Sequence, residues 1–491
     1  MGKDVSAKAY TRADHTRYRH AVQRCLDALE EMLDRGSFAQ DEWRTGLEIE
    51  LNLVDADFMP SMKNAEVLQH IDDWRYQTEL GRFNIELNVE PRRIDGQSLL
   101  QLESALRKNL NRARDRAGDL GAGIVMIGIL PTLPPPEPGH SWFSSNARYQ
   151  MLDEAVLTSR REDVVIDIRG AERLQMTADT IAVEAACTST QFHLQVRPNT
   201  FARYWNAAQV LAGPQLALGA NSPYVFGHQL QAESRIELFL QATDTRPPEL
   251  RNQGVRPLVP FGDRWINSIF DLFEENVRYY PALIPETSDE DPLEVLRAGG
   301  TPQLSELRLH NGTIYRWNRP IYDVSDGRPH LRVENRILPS GPTVLDVLAN
   351  AAFFYGASVD MVLDERPIWS RMSFEAAREN FHTAARHGAD SRLYWPGVGS
   401  VDWDELVLRA LLPAAQRGLE RLGVATEAVD RYLGVIEGRA KLRTNGASWQ
   451  VAATQAFEAR GLDRPDALKA MLKEYVLHMH SNEPVHTWPV P

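Results

Sequence analysis

Cysteine is nearly absent from this 491-residue chain, which contains only Cys25 and Cys187. Two cysteines are too few for a disulfide framework or a cysteine-based structural zinc site. The first residues lack the apolar core of a signal peptide, and no apolar run suggests a membrane-spanning segment. These absences predict a cytoplasmic globular protein that is not inserted in a membrane.

The chain has fewer basic than acidic residues. It contains 54 lysines and arginines and 67 aspartates and glutamates, which gives a net charge of −13. Nucleic acid and anionic membranes are therefore not expected as partners. The sequence has no phosphate-loop motif, no H-E-x-x-H and no G-x-S-x-G. Gly121-Ala-Gly123 is not a dinucleotide fingerprint, because position 126 is methionine. Classical hydrolases, zinc enzymes and Rossmann enzymes are thus disfavoured.

Four segments that are far apart in the chain alternate between polar and apolar residues, as strands with one buried face do. They cover residues 46–55, 84–90, 189–196 and 331–337. Their polar positions contain no lysine, and the first two segments present only glutamate and asparagine. These positions are Glu48, Glu50 and Asn52; Asn84, Glu86, Asn88 and Glu90; Ser189, Gln191, His193 and Gln195; and Arg332, Glu334 and Arg336.

Neighbouring carboxylates on one strand are costly unless water, a cation or a basic side chain balances their charge. Oxygen ligands at this density suit hard divalent cations such as Mg²⁺, while arginine and imidazole suit phosphate. The four segments therefore predict a single sheet with one metal- and phosphate-binding face. Four independent solvent-exposed strand faces are the alternative.

Helical periodicity separates these strands and dominates the C-terminal part. We predict helices over 13–35, 97–119, 176–186, 201–211, 229–241, 263–275, 343–362, 373–386, 402–422, 425–438, 447–460 and 464–477. A buried strand over 122–130 leads into the proline-rich loop 131–139, for which a lid is one interpretation. The predicted organisation is a catalytic domain over 1–370 and a helical C-terminal region over 371–491 that packs on it.

Four motifs, in this order along the chain, resemble those of the second group of glutamate–cysteine ligases and related carboxylate–amine ligases. They are Gly46-Leu-Glu-Ile-Glu50, Ala186-Cys-Thr-Ser-Thr-Gln-Phe-His193, Ala217-Leu-Gly-Ala-Asn-Ser-Pro223 with Arg235, and His330-Leu-Arg-Val-Glu334-Asn-Arg336. The resemblance spans about residues 45–360. It implies the α+β fold of the glutamine-synthetase-like superfamily, with a curved, mainly antiparallel sheet and helices on the outer face of that sheet.

The resemblance also implies roles for individual residues. The implied metal ligands are Glu48, Glu50, Glu86, His193 and Glu334; the implied nucleotide contacts are His193, Gln191 and Arg336; the implied catalytic residues are Arg336 and Glu86; and Arg235 would contact a substrate carboxylate. Two positions depart from the family pattern. Gln191 stands where many members have histidine, and Asn335 stands where an apolar residue is expected.

A basic cluster just before the fourth strand is a further candidate. Arg316 and Arg319, with Asp323, are predicted to line the substrate pocket, and a salt-bridged loop is the equally weighted alternative.

The activity implied by the resemblance is that of a ligase dependent on ATP and Mg²⁺, with Mn²⁺ as a substitute. Such an enzyme activates a carboxylate, here a glutamate-like one, as an acyl phosphate and joins it to an amine such as cysteine. A phosphotransferase of the same superfamily and a non-catalytic protein that binds nucleotides or amino acids are the alternatives. Homo-oligomerisation is left open.

Overall fold

The computed structural model describes residues 10–41, 43–136 and 142–491. Part of the proline-rich loop 131–139 lies outside the described residues, so its interpretation as a lid stays a prediction. The strands are β1 (Arg44–Val54), β2 (Tyr76–Thr78), β3 (Asn84–Arg93), β4 (Gly123–Val125), β5 (Val164–Arg169), β6 (Arg173–Ala178), β7 (Ser189–Val196), β8 (Tyr224–Val225), β9 (His228–Gln229), β10 (Asn318–Ser325), β11 (Arg328–Pro339), β12 (Arg392–Trp395) and β13 (Gly399–Asp402).

Helices make up most of the remaining described chain. They are α1 (Arg12–Arg35), α2 (Asn64–Ile71), α3 (Ser98–Asp119), α4 (Ala147–Arg160), α5 (Pro198–Gly219), α6 (Ser234–Ala242), α7 (Pro248–Asn252), α8 (Ile269–Tyr279), α9 (Pro292–Arg297), α10 (Ser305–Gly312), α11 (Val344–Leu363), α12 (Phe374–His387), α13 (Trp403–Leu406), α14 (Leu412–Arg421), α15 (Thr426–Leu442), α16 (Gly446–Ala459) and α17 (Arg464–Ser481). A π-helical turn, Val407–Leu411, joins α13 to α14.

The central element is a curled antiparallel sheet that forms a half-barrel. Its strand order is β10-β11-β7-β1-β3-β2, and β4 pairs with the end of β1. The four strands with polar faces are consecutive in this order, as β11-β7-β1-β3. The structure therefore confirms that they belong to one sheet and share one face, and it confirms the α+β class with a curved antiparallel sheet.

The apolar face of the sheet is covered by two long helices, α5 and α11. Phe192 of β7 stacks on Phe354 of α11, with ring centroids 6.2 Å apart. The hydroxyl of Tyr355 lies 3.3 Å from the backbone oxygens of Gly46 and His193, which ties α11 to β1 and β7. α11 is long and apolar enough to cross a membrane, although the sequence analysis expected no membrane-spanning run. In the structure, however, 94% of its most apolar segment is buried inside the protein.

A chain of buried amides connects the sheet to α5. Asn335 of β11 exchanges hydrogen bonds with Gln215 at 3.1 and 3.2 Å, and it donates to Asn318 at 2.7 Å. Asn318 in turn donates to Gln209 at 2.6 Å, and Gln209 donates to the backbone oxygen of Phe261. The amide that departs from the family pattern is thus fully paired, so its burial is not left uncompensated.

Two of the C-terminal helices, α14 and α15, pack against α11, and α12 packs against α5. Gly418 of α14 meets the backbone of Gly356 so closely that a Cβ atom at either position would collide. Arg439 of α15 forms a buried ion pair with Asp346, at 2.6 Å, and donates to Asn350 at 2.7 Å. The C-terminal helices predicted from periodicity are present, while the domain boundary at 370 stays a prediction.

Three predictions of secondary structure were wrong. Residues 176–186 form the end of β6 and a 3₁₀ turn (Ile181–Ala186) rather than a helix, because β6 pairs with β5 as a hairpin. Only Gly123–Val125 of the apolar run 122–130 is a strand. β3 continues past Pro91 to Arg93, which is possible because β2 pairs only with residues 85–87, and no other described strand pairs with that edge of β3.

Candidate active site

The register of the four strands brings the polar side chains together. Glu48 of β1 stands between Asn88 of β3 and Gln191 of β7. One step along β1, Glu50 is paired with Glu86. On the other side, Glu334 is the partner of His193. Since side chains alternate along a strand, all of these groups project from the same face.

We call Glu48, His193 and Glu334 the outer group. One ligand atom from each lies within 4.8 Å of the others, a spacing that could hold a metal ion. His193 Nε2 lies 3.0 Å from Glu48 Oε1. Although burial raises it, the pKa of Glu48 is lowered to about 2, because His193 lies beside the carboxylate.

The hydrogen bonds of His193 restrict its use as a ligand. Arg332 Nε donates to His193 Nδ1 at 3.1 Å. Since a guanidinium cannot accept a hydrogen bond, Nδ1 must be the acceptor, which places the proton of the neutral ring on Nε2, facing Glu48. Metal-bound histidines usually donate their second N–H to an acceptor, and Arg332 offers none. As placed, His193 orients Glu48, and its predicted role as a metal ligand would require Arg332 to move.

Glu334 is held by two arginines. Arg319 binds both carboxylate oxygens, at 2.9 and 2.8 Å, and Arg336 Nη1 donates to Oε1 at 2.6 Å. Burial would raise the pKa of Glu334, but the two guanidinium groups outweigh it and hold that pKa well below its ordinary value. Arg336 also donates to Gln191 through the same nitrogen. Its Nε and Nη2 form no hydrogen bond with a described residue, so two donor nitrogens with three N–H groups remain available at the cavity wall.

We call Glu50, Glu86 and Glu184 the inner group. Glu50 accepts hydrogen bonds from Gln191 Nε2 at 2.9 Å and from the backbone N–H of Ser189 at 2.5 Å. Burial, followed by the charge of Glu79, raises the pKa of Glu50 to about 7 and that of Glu184 to about 8. Burial and the neighbouring charge of Glu48 raise the pKa of Glu86 well above its ordinary value. Oε1 of Glu86 is buried without a hydrogen-bond partner among the described residues.

A cavity of about 180 Å³ opens onto these groups. The inner group, Glu48, Gln191, Arg319 and Arg336 line it, and Phe239, Tyr315 and Trp317 contribute an aromatic wall. Arg235 also lines it, as predicted for a substrate contact. Its guanidinium is paired with the buried Glu233 at 3.0 Å and lies 5.5 Å from the ring centroid of Trp317.

Arg316 does not reach this cavity, which corrects the expectation that it lines the substrate pocket. It precedes β10, and its guanidinium is buried against Glu275 at 3.1 Å and Asn276 at 2.9 Å. Asp323 is likewise bound to Arg332 and Arg308, as the salt-bridged alternative predicted.

Two acidic residues of the cavity, Glu79 and Glu184, were missed by the sequence analysis. Glu184 lies in the 3₁₀ turn that periodicity had assigned to a helix, and Glu79 lies in the loop after β2. Neither segment has a strand-like alternation that would have marked the side chain. The only available signal was proximity, since Glu184 lies two residues before the motif that begins at Ala186.

Solved structures show the class of fold. Glutamate–cysteine ligase from Francisella tularensis, in complex with AMP, is similar to this chain with a TM-score of 0.55 and 12% identity, over 93% of this chain and 91% of that one. A bifunctional glutathione synthetase from Pasteurella multocida is similar with a TM-score of 0.51 and 11% identity, over 93% of this chain and 55% of that one. This chain therefore shares the overall fold of these two proteins.

The family follows from the sequence itself. Residues 44–461 match the profile of glutamate-cysteine ligase family 2, and the chain belongs to this family. No curated protein matches the chain. Family and fold together support a carboxylate–amine ligase.

Proposed function

We propose that the protein is a ligase that uses ATP and Mg²⁺ to join the carboxylate of a glutamate-like amino acid to an amine, with cysteine as the first amine to test. The observation that carries this proposal is the inner group. Three carboxyl groups line one cavity, Glu50 and Glu86 buried and Glu184 half-buried, and loss of solvent raises the pKa of each. A protein that keeps such costly groups together needs a cation to ionise them.

The donor set fits Mg²⁺, which prefers carboxylate oxygens and keeps several waters. Glu48, Glu50 and Glu86 would hold it, because their side chains line the cavity and Glu86 has an unpaired buried oxygen. The same set would accept Mn²⁺. Glu334 has both of its oxygens bound to arginine, so its first role is to fix Arg319 and Arg336 in place.

The residues present also fit the phosphates of a nucleotide. Arg336 lines the cavity with two unused guanidinium nitrogens, and Arg319 lines it as well. Bound ATP and Mg²⁺ would supply the phosphoryl group that turns a carboxylate oxygen into a leaving group and the charge that stabilises its transfer. The chain itself would contribute Arg336 at the phosphate and Arg235 at the substrate carboxylate.

The test measures ADP release by purified protein with ATP, Mg²⁺, glutamate and a panel of amines that includes cysteine. We expect amine-dependent ADP release and an amide product. Glu86→Gln should abolish it, while Glu405→Gln, a half-exposed position on α13 whose side chain pairs with Arg409, should behave as the wild type. Folded protein without amine-dependent ADP release would contradict the ligase. A stable phosphorylated acceptor would instead identify a phosphotransferase. Binding of Mg·ATP without any turnover would identify a non-catalytic binding protein.

A further inference from the structure

Gln191 of β7 is buried at the wall of the active-site cavity, and only 2% of the residue is exposed. Its side-chain amide lies between a carboxylate and a guanidinium. Nε2 donates to Glu50 Oε1 at 2.9 Å and to Ser189 Oγ at 3.3 Å, and Oε1 accepts a hydrogen bond from Arg336 Nη1. The amide therefore links a proposed metal ligand to the arginine proposed for the phosphate.

The orientation of this amide is fixed by its neighbours. A guanidinium only donates hydrogen bonds, so the atom of Gln191 that faces Arg336 must be the oxygen. Turning the amide over would place Nε2 against Arg336 and Oε1 against Glu50, and both hydrogen bonds would be lost. The cation on one side and the carboxylate on the other thus allow only one arrangement of the three side chains.

This arrangement leaves Gln191 without a donor for a phosphate group. Nε2 has two N–H bonds, and Glu50 and Ser189 accept one each. The oxygens of a phosphate are acceptors, and they carry negative charge. A hydrogen bond from Gln191 to a phosphate, which is one form of the predicted nucleotide contact, would require the amide to give up Glu50 or Ser189.

Glu50 and Arg336 form no hydrogen bond with each other, although their charges interact. Burial is the main cause of the raised pKa of Glu50, and the charge of Arg336 opposes it. Each of the two residues has another anchor, because Glu50 accepts from the Ser189 N–H at 2.5 Å and Arg336 donates to Glu334 at 2.6 Å. Without the amide of Gln191 both would stay anchored, but the spacing between them would no longer be fixed.

We propose that Gln191 is a positioning residue that holds Glu50 and Arg336 at the spacing at which a metal ion on Glu50 meets a phosphate on Arg336. Gln191 acts through these two residues and touches neither the metal nor the phosphate. The consequence is cooperative binding, in which metal and nucleotide each raise the affinity of the protein for the other. This inference rests on the proposed function, since it needs the metal and nucleotide site.

The test is isothermal titration calorimetry of the full chain with β,γ-imido-ATP, an analogue whose terminal phosphate is not transferred. Kd is measured once with EDTA and once with saturating Mg²⁺, and the ratio of the two values is the coupling factor. Mg²⁺ also binds the nucleotide in solution, but this contribution is the same for every variant. Differences in the coupling factor between variants therefore report on the protein.

Gln191→Met keeps the length of the side chain and removes its hydrogen bonds to Glu50 and Arg336. We expect the coupling factor to fall about tenfold, which corresponds to one hydrogen bond to a charged group. Kd with EDTA should change by less than about twofold, because Arg336 keeps its bond to Glu334. Gln191→Asn has an amide that is one methylene too short to reach both partners, so it should behave similarly and keeps the test valid should Gln191→Met fail to fold.

Gln195→Met is the matched control. Gln195 lies on the same strand and the same face as Gln191, but its amide donates to the backbone oxygen of Asp41 at 3.1 Å, and it is not part of the cavity lining. The coupling factor of this variant should equal that of the wild type. A loss as large as in Gln191→Met would indicate a general effect of the strand and would overturn the proposal.

Two further results would overturn the positioning role while leaving the proposed function intact. One is a wild-type coupling factor in folded Gln191→Met or Gln191→Asn. The other is an equal rise of Kd with and without Mg²⁺, which would show that Gln191 contacts the nucleotide directly. Failure of the wild type to bind the nucleotide under either condition would instead overturn the proposed function and this inference together.

Discussion

Replacing Glu50 with glutamine should separate the stability of the protein from its affinity for metal. Glu50 is buried at the centre of the inner group, and its pKa of about 7 lies above the ordinary value of 4.5. Between these two values the folded state keeps a proton that the unfolded state has lost. The free energy of unfolding of the metal-free protein should therefore fall as the pH rises from about 4.5 to 7 and then level off.

The size of this effect follows from the pKa difference. At 1.36 kcal/mol per unit, Glu50 alone accounts for a loss of about 3 kcal/mol between pH 5 and pH 8. Glu50→Gln removes this loss. The substitution also replaces one carboxylate oxygen with an NH₂ group. That group can no longer accept the hydrogen bond from Gln191 or from the Ser189 N–H, which costs about 1–3 kcal/mol. The two terms nearly cancel at pH 8, so the variant should be about as stable there and clearly less stable at pH 5.

The assay is urea unfolding of the wild type, Glu50→Gln and Glu405→Gln at pH 5, 6, 7 and 8, with and without Mg²⁺. Mg²⁺ at 100 times its Kd should stabilise the wild type by about 2.7 kcal/mol. It should stabilise Glu405→Gln equally and Glu50→Gln much less. An unchanged pH profile in Glu50→Gln, together with full stabilisation by Mg²⁺, would refute the assignment of Glu50 as a carboxylate that needs a cation.

Three further predictions concern stability. Arg439→Met should destabilise the protein by about 3–5 kcal/mol in urea unfolding, because it leaves Asp346 buried and unpaired, and adding Asp346→Asn should recover part of the loss. Gly418→Ala should lower the melting temperature, because the added Cβ would collide with the backbone of α11. Gly434→Ala, which has open space around the added Cβ, should raise the melting temperature slightly. Equal effects of the two substitutions would contradict the close helix contact. Arg316→Gln should lower stability without raising the KM for glutamate specifically, and a selective rise in KM would restore its predicted substrate role.

Strict alternation made the functional face of the sheet predictable. β1 and β7 carry a polar residue at every second position, so the residues that share the face could be identified without knowing how the strands pair. The order of the strands could not be derived from periodicity, because pairing depends on contacts between distant segments. The resemblance to a ligase family supplied the curved sheet, and the structure confirms it.

What the sequence analysis missed lies where periodicity carries no information. Glu184 lies in a 3₁₀ turn, whose short length gives no pattern of its own. Arg316 and Arg319 are three residues apart in one polar stretch, and only the start of β10 at Asn318 decides that Arg319 points to the cavity. The hydrogen bond that Arg332 donates to His193 depends on the side-chain geometry of two strands, so neither segment predicts it by itself.

The buried amides around Asn335 give the sheet a fixed alignment. Apolar contacts between a sheet and a helix change little in energy when one slides by a fraction of an ångström, whereas an amide pair loses both of its hydrogen bonds. Asn335 lies between Glu334 and Arg336 in β11, so locking its position against Gln215 and Asn318 also locks theirs on the opposite face. An apolar residue at 335 would fill the same space and leave the spacing between the arginines and the carboxylates less tightly defined.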